Sequence, residues 1–190
     1  FNQHFAGLHA HLATFLDGTG RIKGIVRDLR AFTRLDEAEK KSVRISECLV
    51  STLNLVRTSW LEQVEFITEF QADPEIECWP ALLNQVFMNL LVNACQAIAE
   101  KAASGKTSAP PATGGFAGQL RIRLEQDAQW VRISFVDNGI GISQDTQTHI
   151  LEPFFTTKSV GLGTGLGLSI AYGILRKHDG NLEFASTPGE

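Results

Sequence analysis

The clearest rhythm in the chain runs from Ala81 to Lys101, where Leu83, Val86, Phe87, Leu90, Leu91, Ala94 and Ile98 recur three and four residues apart. That spacing predicts a helix with one broad apolar face, and Pro80 suits its first turn. A second rhythm fills the first forty residues. Phe1, Phe5, Leu8, Leu12, Phe15, Thr19, Ile22, Val26, Leu29 and Thr33 form a heptad-like seam. It predicts a helix of about 35 residues, roughly 50 Å long, that buries its stripe in a bundle, as in a homodimer. Gly7, Gly18, Gly20 and Gly24 oppose that helix, and Gly18 with Gly20 is the natural place for a break. Another helix follows Ser46-Glu47 through Leu49, Val50, Leu53, Val56 and Trp60.

Period-two alternation marks the strands. Val64 to Phe70, Ile76 to Trp79 after an Asp73-Pro74 turn, Gln119 to Glu125, and Trp130 to Val136 are expected as strands, the last two as an antiparallel pair. Ala102 to Gly118 is rich in Ser, Gly, Pro and Thr and reads as a loop. Leu166 to Lys177 gives the last helix and Asn181 to Ala185 a last strand. Helices beside a mixed or antiparallel sheet make an α+β protein, a two-layer α/β sandwich behind a long helix. The expected division is a helical segment at 1–38, a linker at 39–45 and a globular domain at 46–190.

Charge narrows the partners: a formal net charge of -4 supplies no basic field for nucleic acid. Cys48, Cys78 and Cys95 have neither zinc-ligand nor redox-pair spacing, so buried thiols in a reducing compartment are expected. No apolar run reaches bilayer-spanning length by eye. The chain opens at Phe1 and stops at Gly189-Glu190 just after a strand-like segment, which reads as a fragment.

The chemistry concentrates late. Asp137-Asn138-Gly139-Ile140-Gly141 follows a strand, and Gly161-Leu162-Gly163-Thr164-Gly165-Leu166-Gly167 precedes a helix. Glycines admit close backbone approach, and N–H groups at a turn and helix start suit an anion. A carboxylate beside a phosphate-holding loop points to a nucleotide, with Asp137 accepting a bond from a base amino group. Asn89 and Asn93 share one side of the long helix, which Gln85 and Gln96 extend. Hydrated Mg2+ with phosphates would satisfy those amides, and so would ordinary structural hydrogen bonding. Lys158 supplies a positive charge to the same region or a plain surface lysine. Gly105-Lys106-Thr107 imitates the end of a P-loop, but Glu100 stands where the first glycine belongs. His4, His9, His11, His149 and His178 form no metal-ligand set.

Four motifs in order carry a family resemblance. Asn89-Leu90-Leu91-Val92-Asn93-Ala94, Asp137-Asn138-Gly139-Ile140-Gly141, Glu152-Pro153-Phe154-Phe155 and Gly163-Thr164-Gly165-Leu166-Gly167-Leu168 resemble the asparagine, first glycine, phenylalanine and second glycine boxes of bacterial two-component sensor histidine kinases. The resemblance implies the Bergerat ATP-binding sandwich shared with gyrase, Hsp90 and MutL, with its last strand or strands beyond Glu190. It implies ATP and Mg2+ as cofactors. Asn93 would hold the metal, Asn89 the phosphate and metal side, and Asp137 adenine, with Gly139 and Gly141 shaping the pocket. Thr164, Gly165, Leu166 and Gly167 would belong to the phosphate loop, Phe154 and Phe155 to the base of its lid, and Lys158 to the phosphates.

Residues 21–29 resemble the second helix of the dimerisation and phosphotransfer domain. His4, His9 and His11 lack the acidic follower of a phosphoacceptor, so the acceptor is expected outside this chain. The implied reaction moves the ATP γ-phosphoryl group to that histidine and then to an aspartate of a response-regulator receiver domain. The fragment is expected in the cytoplasm, with any membrane contact made by segments outside it. Two rivals follow from the same motifs: a Bergerat ATPase driving conformational change, and a scaffold that binds nucleotide without transfer.

Overall fold

A computed structural model describes residues 39–105, 118–158 and 163–189. The expected N-terminal bundle helix, with His4, His9 and His11, lies outside the described residues, as does most of the loop between Ala102 and Gly118. Chain order is β1 (Lys41–Arg44), α1 (Ile45–Trp60), β2 (Val64–Phe70), β3 (Glu75–Cys78), α2 (Pro80–Ala103), β4 (Gly118–Gln126), β5 (Val131–Asp137), α3 (Gln144–Gln147) and α4 (Gly167–Lys177).

Three strands form the main sheet in the order β2-β4-β5. β2 runs parallel to β4, and β5 returns antiparallel as expected, with Leu120 opposite Asp137. Alternation along β4 sends Leu120, Ile122 and Leu124 inward, where they are buried. There they meet Leu49, Leu53 and Val56 of α1, Val86, Phe87 and Leu91 of α2, and Ile170, Ala171 and Ile174 of α4. On the opposite face, Glu69 of β2 pairs with Arg121 and Arg123 of β4. One apolar face under helices and one charged face toward water is the two-layer sandwich the alternation implied.

α2 starts at Pro80, as predicted, and its 24 residues are long and apolar enough by composition to cross a membrane. Its apolar side is instead buried against the sheet, α1 and α4. The beginning of α2 is tied to the end of α4. Trp79 N–H donates to His178 Nε2 at 3.1 Å, while His178 Nδ1 bonds the Ile174 carbonyl at 2.8 Å. Both ring nitrogens are thus engaged, with Nδ1 carrying the proton. The His178 ring stands edge-on to Trp79 at 5.0 Å, and Lys177 Nζ lies 4.7 Å from the Trp79 ring centre.

Three local expectations change. Lys41–Arg44, inside the stretch read as a linker, forms β1 and pairs antiparallel with β3. A single turn, α3, appears where none was expected, capped by Ser143 Oγ accepting from the Thr146 N–H. Asn181 to Ala185 joins no ladder. Just beyond it, side-chain bonds take over, with Ser186 Oγ accepting from Ile142 N–H at 2.9 Å and Gln147 Nε2 reaching the Ser186 carbonyl at 3.0 Å. These anchor the segment to the turn at residues 140–147 rather than to the edge of β5.

Gly173 sits inside α4 with nothing within 4 Å of a Cβ placed on it. Gly173→Ala is predicted to raise stability by about 0.5–1 kcal/mol, because Ala loses less backbone entropy on entering a helix. Urea unfolding checks it; a destabilised variant contradicts the open environment.

Candidate functional site

The side of α2 that does not enter the core builds one wall of a cleft. Asn89 Nδ2 donates to the Gly167 carbonyl at 2.9 Å, which fixes the first turn of α4. One turn later, Asn93 Oδ1 accepts from Lys158 Nζ at 3.4 Å, and Gln96 Oε1 accepts from the same ammonium. Residues three and four apart share a helix face, so this row is a direct product of the spacing. Farther along, the Ala97 carbonyl receives Ile140 N–H at 3.1 Å, docking the turn after β5 onto the helix.

That turn is shaped by what cannot fit. A Cβ on Gly139 would lie 2.6 Å from the Ala97 Cβ. Gly141 has φ +74°, and a Cβ there would meet the Thr187 carbonyl oxygen at 2.4 Å. Asn138 secures the turn from outside, its Oδ1 accepting Gln119 N–H at 2.8 Å and its carbonyl taking Lys101 Nζ at 2.9 Å. The result is a cleft floor made of backbone. Asp137 stands at its edge, with Oδ1 accepting Gly139 N–H at 2.9 Å.

Asp137 is exposed, yet the surrounding protein displaces enough water to raise its carboxyl pKa above 3.8. The Gly139 and Asp137 backbone N–H groups and the charge of Lys101 act in the opposite direction and do not prevail. Cys95 is fully buried, and its thiol is pushed up to about 12 by burial first and the charge of Asp137 second. All three cysteines are buried and free, as the spacing implied. An inert thiol is the outcome.

The opposite wall is a loop closed at its base. Phe154 N–H donates to the Gly165 carbonyl at 2.9 Å. Phe154 has φ +69° and Gly165 φ +67°, and a Cβ on Gly165 would lie 2.4 Å from the Phe154 carbonyl carbon. Phe154 therefore contributes its backbone, and the residue is 72% exposed. Phe155 is the ring that packs, 5.5 Å from His149, whose Nδ1 lies 2.8 Å from Glu152 Oε1. Within the loop, Lys158 N–H donates to Thr156 Oγ1 at 3.2 Å, and Leu166 N–H to Thr164 Oγ1 at 3.3 Å. Lys158 is half-buried, and burial lowers its ammonium pKa below 10.5 against the opposing charge of Glu100.

This donor set fits a metal–nucleotide pair. Two amide oxygens already converge on a cation, and neutral oxygens are ligands a hard divalent ion accepts. Among the described residues no group of three or more His, Cys, Asp or Glu could hold a metal, so a divalent ion here would need oxygens from its nucleotide. Gly139 and Gly141 let the turn pack backbone-close against Ala97 and Thr187 beside Asp137.

The family of histidine kinase-, DNA gyrase B- and HSP90-like ATPases matches residues 80–190, from the start of α2 through α4. The chain belongs to that family. The relatives it resembles are bacterial sensor histidine kinases, of which the chain spans about a quarter of the length. It is 34% identical to the signal transduction histidine-protein kinase AtoS of Escherichia coli over 94% of the chain, which spans 27% of AtoS. It is 31% identical to the C4-dicarboxylate transport sensor protein DctB of Pseudomonas aeruginosa over 97% of the chain and 28% of DctB. The nucleotide-free catalytic domain of histidine kinase ThkA superposes with a TM-score of 0.59 at 28% identity, covering 73% of this chain and 81% of that one.

In this ATPase-family domain, the structure brings Asn93 to Lys158, Asp137 to Gly139, and Gly141 to Thr187. Thr164, Gly165, Leu166 and Gly167 stand together at the loop base. Asn89 is turned toward α4 and Phe155 toward His149. Sequence reasoning missed the Ala97 carbonyl and the wall at Ser186 and Thr187, for which no residue-type signal exists. Gln96, expected to extend the Asn89 and Asn93 side, meets Lys158 there.

Two outcomes follow. Gly165→Ala should cost about 1–3 kcal/mol in urea unfolding, since φ is left-handed and the Phe154 backbone blocks the methyl group. An unchanged midpoint contradicts the clamp. Because burial raises the folded pKa of Asp137 above its unfolded value, the native state binds the extra proton between the two. Stability from this group is complete below the unfolded pKa and is lost as pH rises through the folded one. Asp137→Asn should therefore be more stable than wild type at pH 7, with the gain shrinking on acidification. An Asn variant less stable at pH 7 contradicts it.

Proposed function

We propose that the cleft binds ATP with Mg2+ and that the whole protein is an ATP-dependent protein histidine kinase. One observation carries this reading: a carboxylate and a cation-gathering pair of amide oxygens stand along one helix-backed cleft whose floor is bare backbone. Asp137 accepts a hydrogen bond from the adenine amino group, and the Gly139 and Gly141 turn holds Asp137 in place for it. Asn93 holds the metal side and Lys158 the phosphates. Asn89 positions the N-terminus of α4, whose N–H groups with Thr164 and Gly165 face the phosphate chain. Bound Mg2+ supplies neutralisation of phosphate charge.

The chain's own residues orient the γ-phosphoryl group. A neutral imidazole nitrogen then forms the N–P bond as the bond to the β-phosphate oxygen breaks, releasing ADP. Transfer to a receiver-domain aspartate follows. The structure of histidine kinase ThkA in complex with response regulator protein TrrA, which superposes with a TM-score of 0.61 at 22% identity over 87% of this chain and 43% of that one, supports a partner of that kind. Dimerisation through the N-terminal segment completes the reading, with any membrane contact left to other segments.

The whole protein is to be incubated with γ-labelled ATP and Mg2+. Acid-labile label on one histidine, lost in Asn93→Ala, is the expected result. ATP turnover without protein label, with a regulator present, moves the reading to an ATPase that drives conformational change. Asp137→Ala should weaken ATP binding about 10- to 100-fold, the range of a lost charge-assisted hydrogen bond. Unchanged affinity in the folded variant removes Asp137 from the adenine role.

A further inference from the structure

Lys158 is not an ordinary surface lysine. Its ammonium has donors only, and it meets two acceptors on one face of α2, Asn93 Oδ1 and Gln96 Oε1. Its stem is seated as well: a Cβ on Gly163 would lie 3.3 Å from Lys158 Cδ and 3.4 Å from its Cβ. Thr156 Oγ1 fixes the Lys158 backbone N–H. The pose is built by the loop and the helix together.

A cation between two side-chain amides orients both with oxygen toward the cleft. The same two oxygens are what a hard divalent ion takes when a nucleotide brings the remaining ligands. We propose that Asn93 and Gln96 form a two-oxygen cation site which the Lys158 ammonium fills before metal–nucleotide arrives, and which it must vacate on binding. This rests on the nucleotide reading above and adds two things to it. Gln96 becomes the second side chain on the metal side, and Lys158 becomes a resident competitor of the metal.

Displacement places the released ammonium beside the incoming phosphates, so one residue occupies the site before metal arrives and reaches the phosphates afterwards. A cation is present in both states, and the amides are never left facing one another without a partner.

Mn2+, titrated into the full-length protein held with saturating ADP and read by water-proton relaxation, tests the site without turnover. Lys158→Met should raise Mn2+ affinity about tenfold by removing the competitor, and Gln96→Leu in the same background should abolish that gain. Gln96→Glu should restore Mn2+ binding in that background, since a carboxylate is also a hard oxygen ligand. An affinity that Lys158→Met leaves unchanged overturns the proposal. So does a gain that persists with Gln96→Leu, because bulk electrostatics then accounts for it. ATP binding is measured in parallel with Mg2+ and with chelator. Intact Mg2+-dependent ATP binding beside a failed Mn2+ result overturns the competitor alone, whereas loss of ATP binding in the wild-type protein overturns the nucleotide reading beneath it.

Discussion

α2 must satisfy two demands along one helix, and the rest of the domain depends on how it does so. Val86, Phe87, Leu91, Ala94, Cys95 and Ile98 are buried beneath the sheet and α4. Burying such side chains contributes about 1.5–3 kcal/mol each, enough to fix the rotation of the helix about its own axis. Once that rotation is set, Asn93 and Gln96 are left facing Lys158, Asn89 the start of α4, and the Ala97 carbonyl the turn after β5. The polar row is a consequence of the apolar one. A rotation that improved the cleft at the expense of the core would cost more than any single hydrogen bond returns.

α4 is held to this helix at both ends. Asn89 takes the Gly167 carbonyl at its start, and His178 takes the Trp79 N–H at its finish. The loop between the Phe154–Gly165 clamp and α4 thus hangs from a fixed support, and its base is set by backbone contact that only glycine at 165 permits. Asp137 shows the opposite balance. Its carboxyl is kept where burial opposes ionisation, a local cost that makes sense where a carboxylate is needed for a ligand.

Much of this was legible from pattern. The helix from Pro80, the antiparallel β4–β5 pair and the glycine turns all follow from local periodicity and turn chemistry. What stayed hidden was non-local. β1 is only four residues, Lys-Ser-Val-Arg, and exists because β3 offers it a partner more than thirty residues away. The parallel pairing of β2 with β4 leaves no local signature. Asn181 to Ala185 alternates like a strand, yet the anchors at Ser186 and Gly189 hold the following residues to the turn after β5 instead. In the site, the residue types at Asp137, Gly139 and Gly141 spoke for themselves. The turning of Asn89 toward α4, and the meeting of Lys158 with Gln96, depend on a loop folding across a helix 62 residues earlier.

The central claim is that nucleotide occupies the cleft between α2 and the turn after β5. Amide NMR during titration with Mg2+ and ADP tests it most directly, because it maps the contact without turnover. The account predicts the largest shifts at Gly139, Ile140 and Gly141 and at residues 163–167, with little change on the outer sheet face at Arg121 and Arg123. Shifts centred on that outer face, or none at saturating nucleotide, would contradict it.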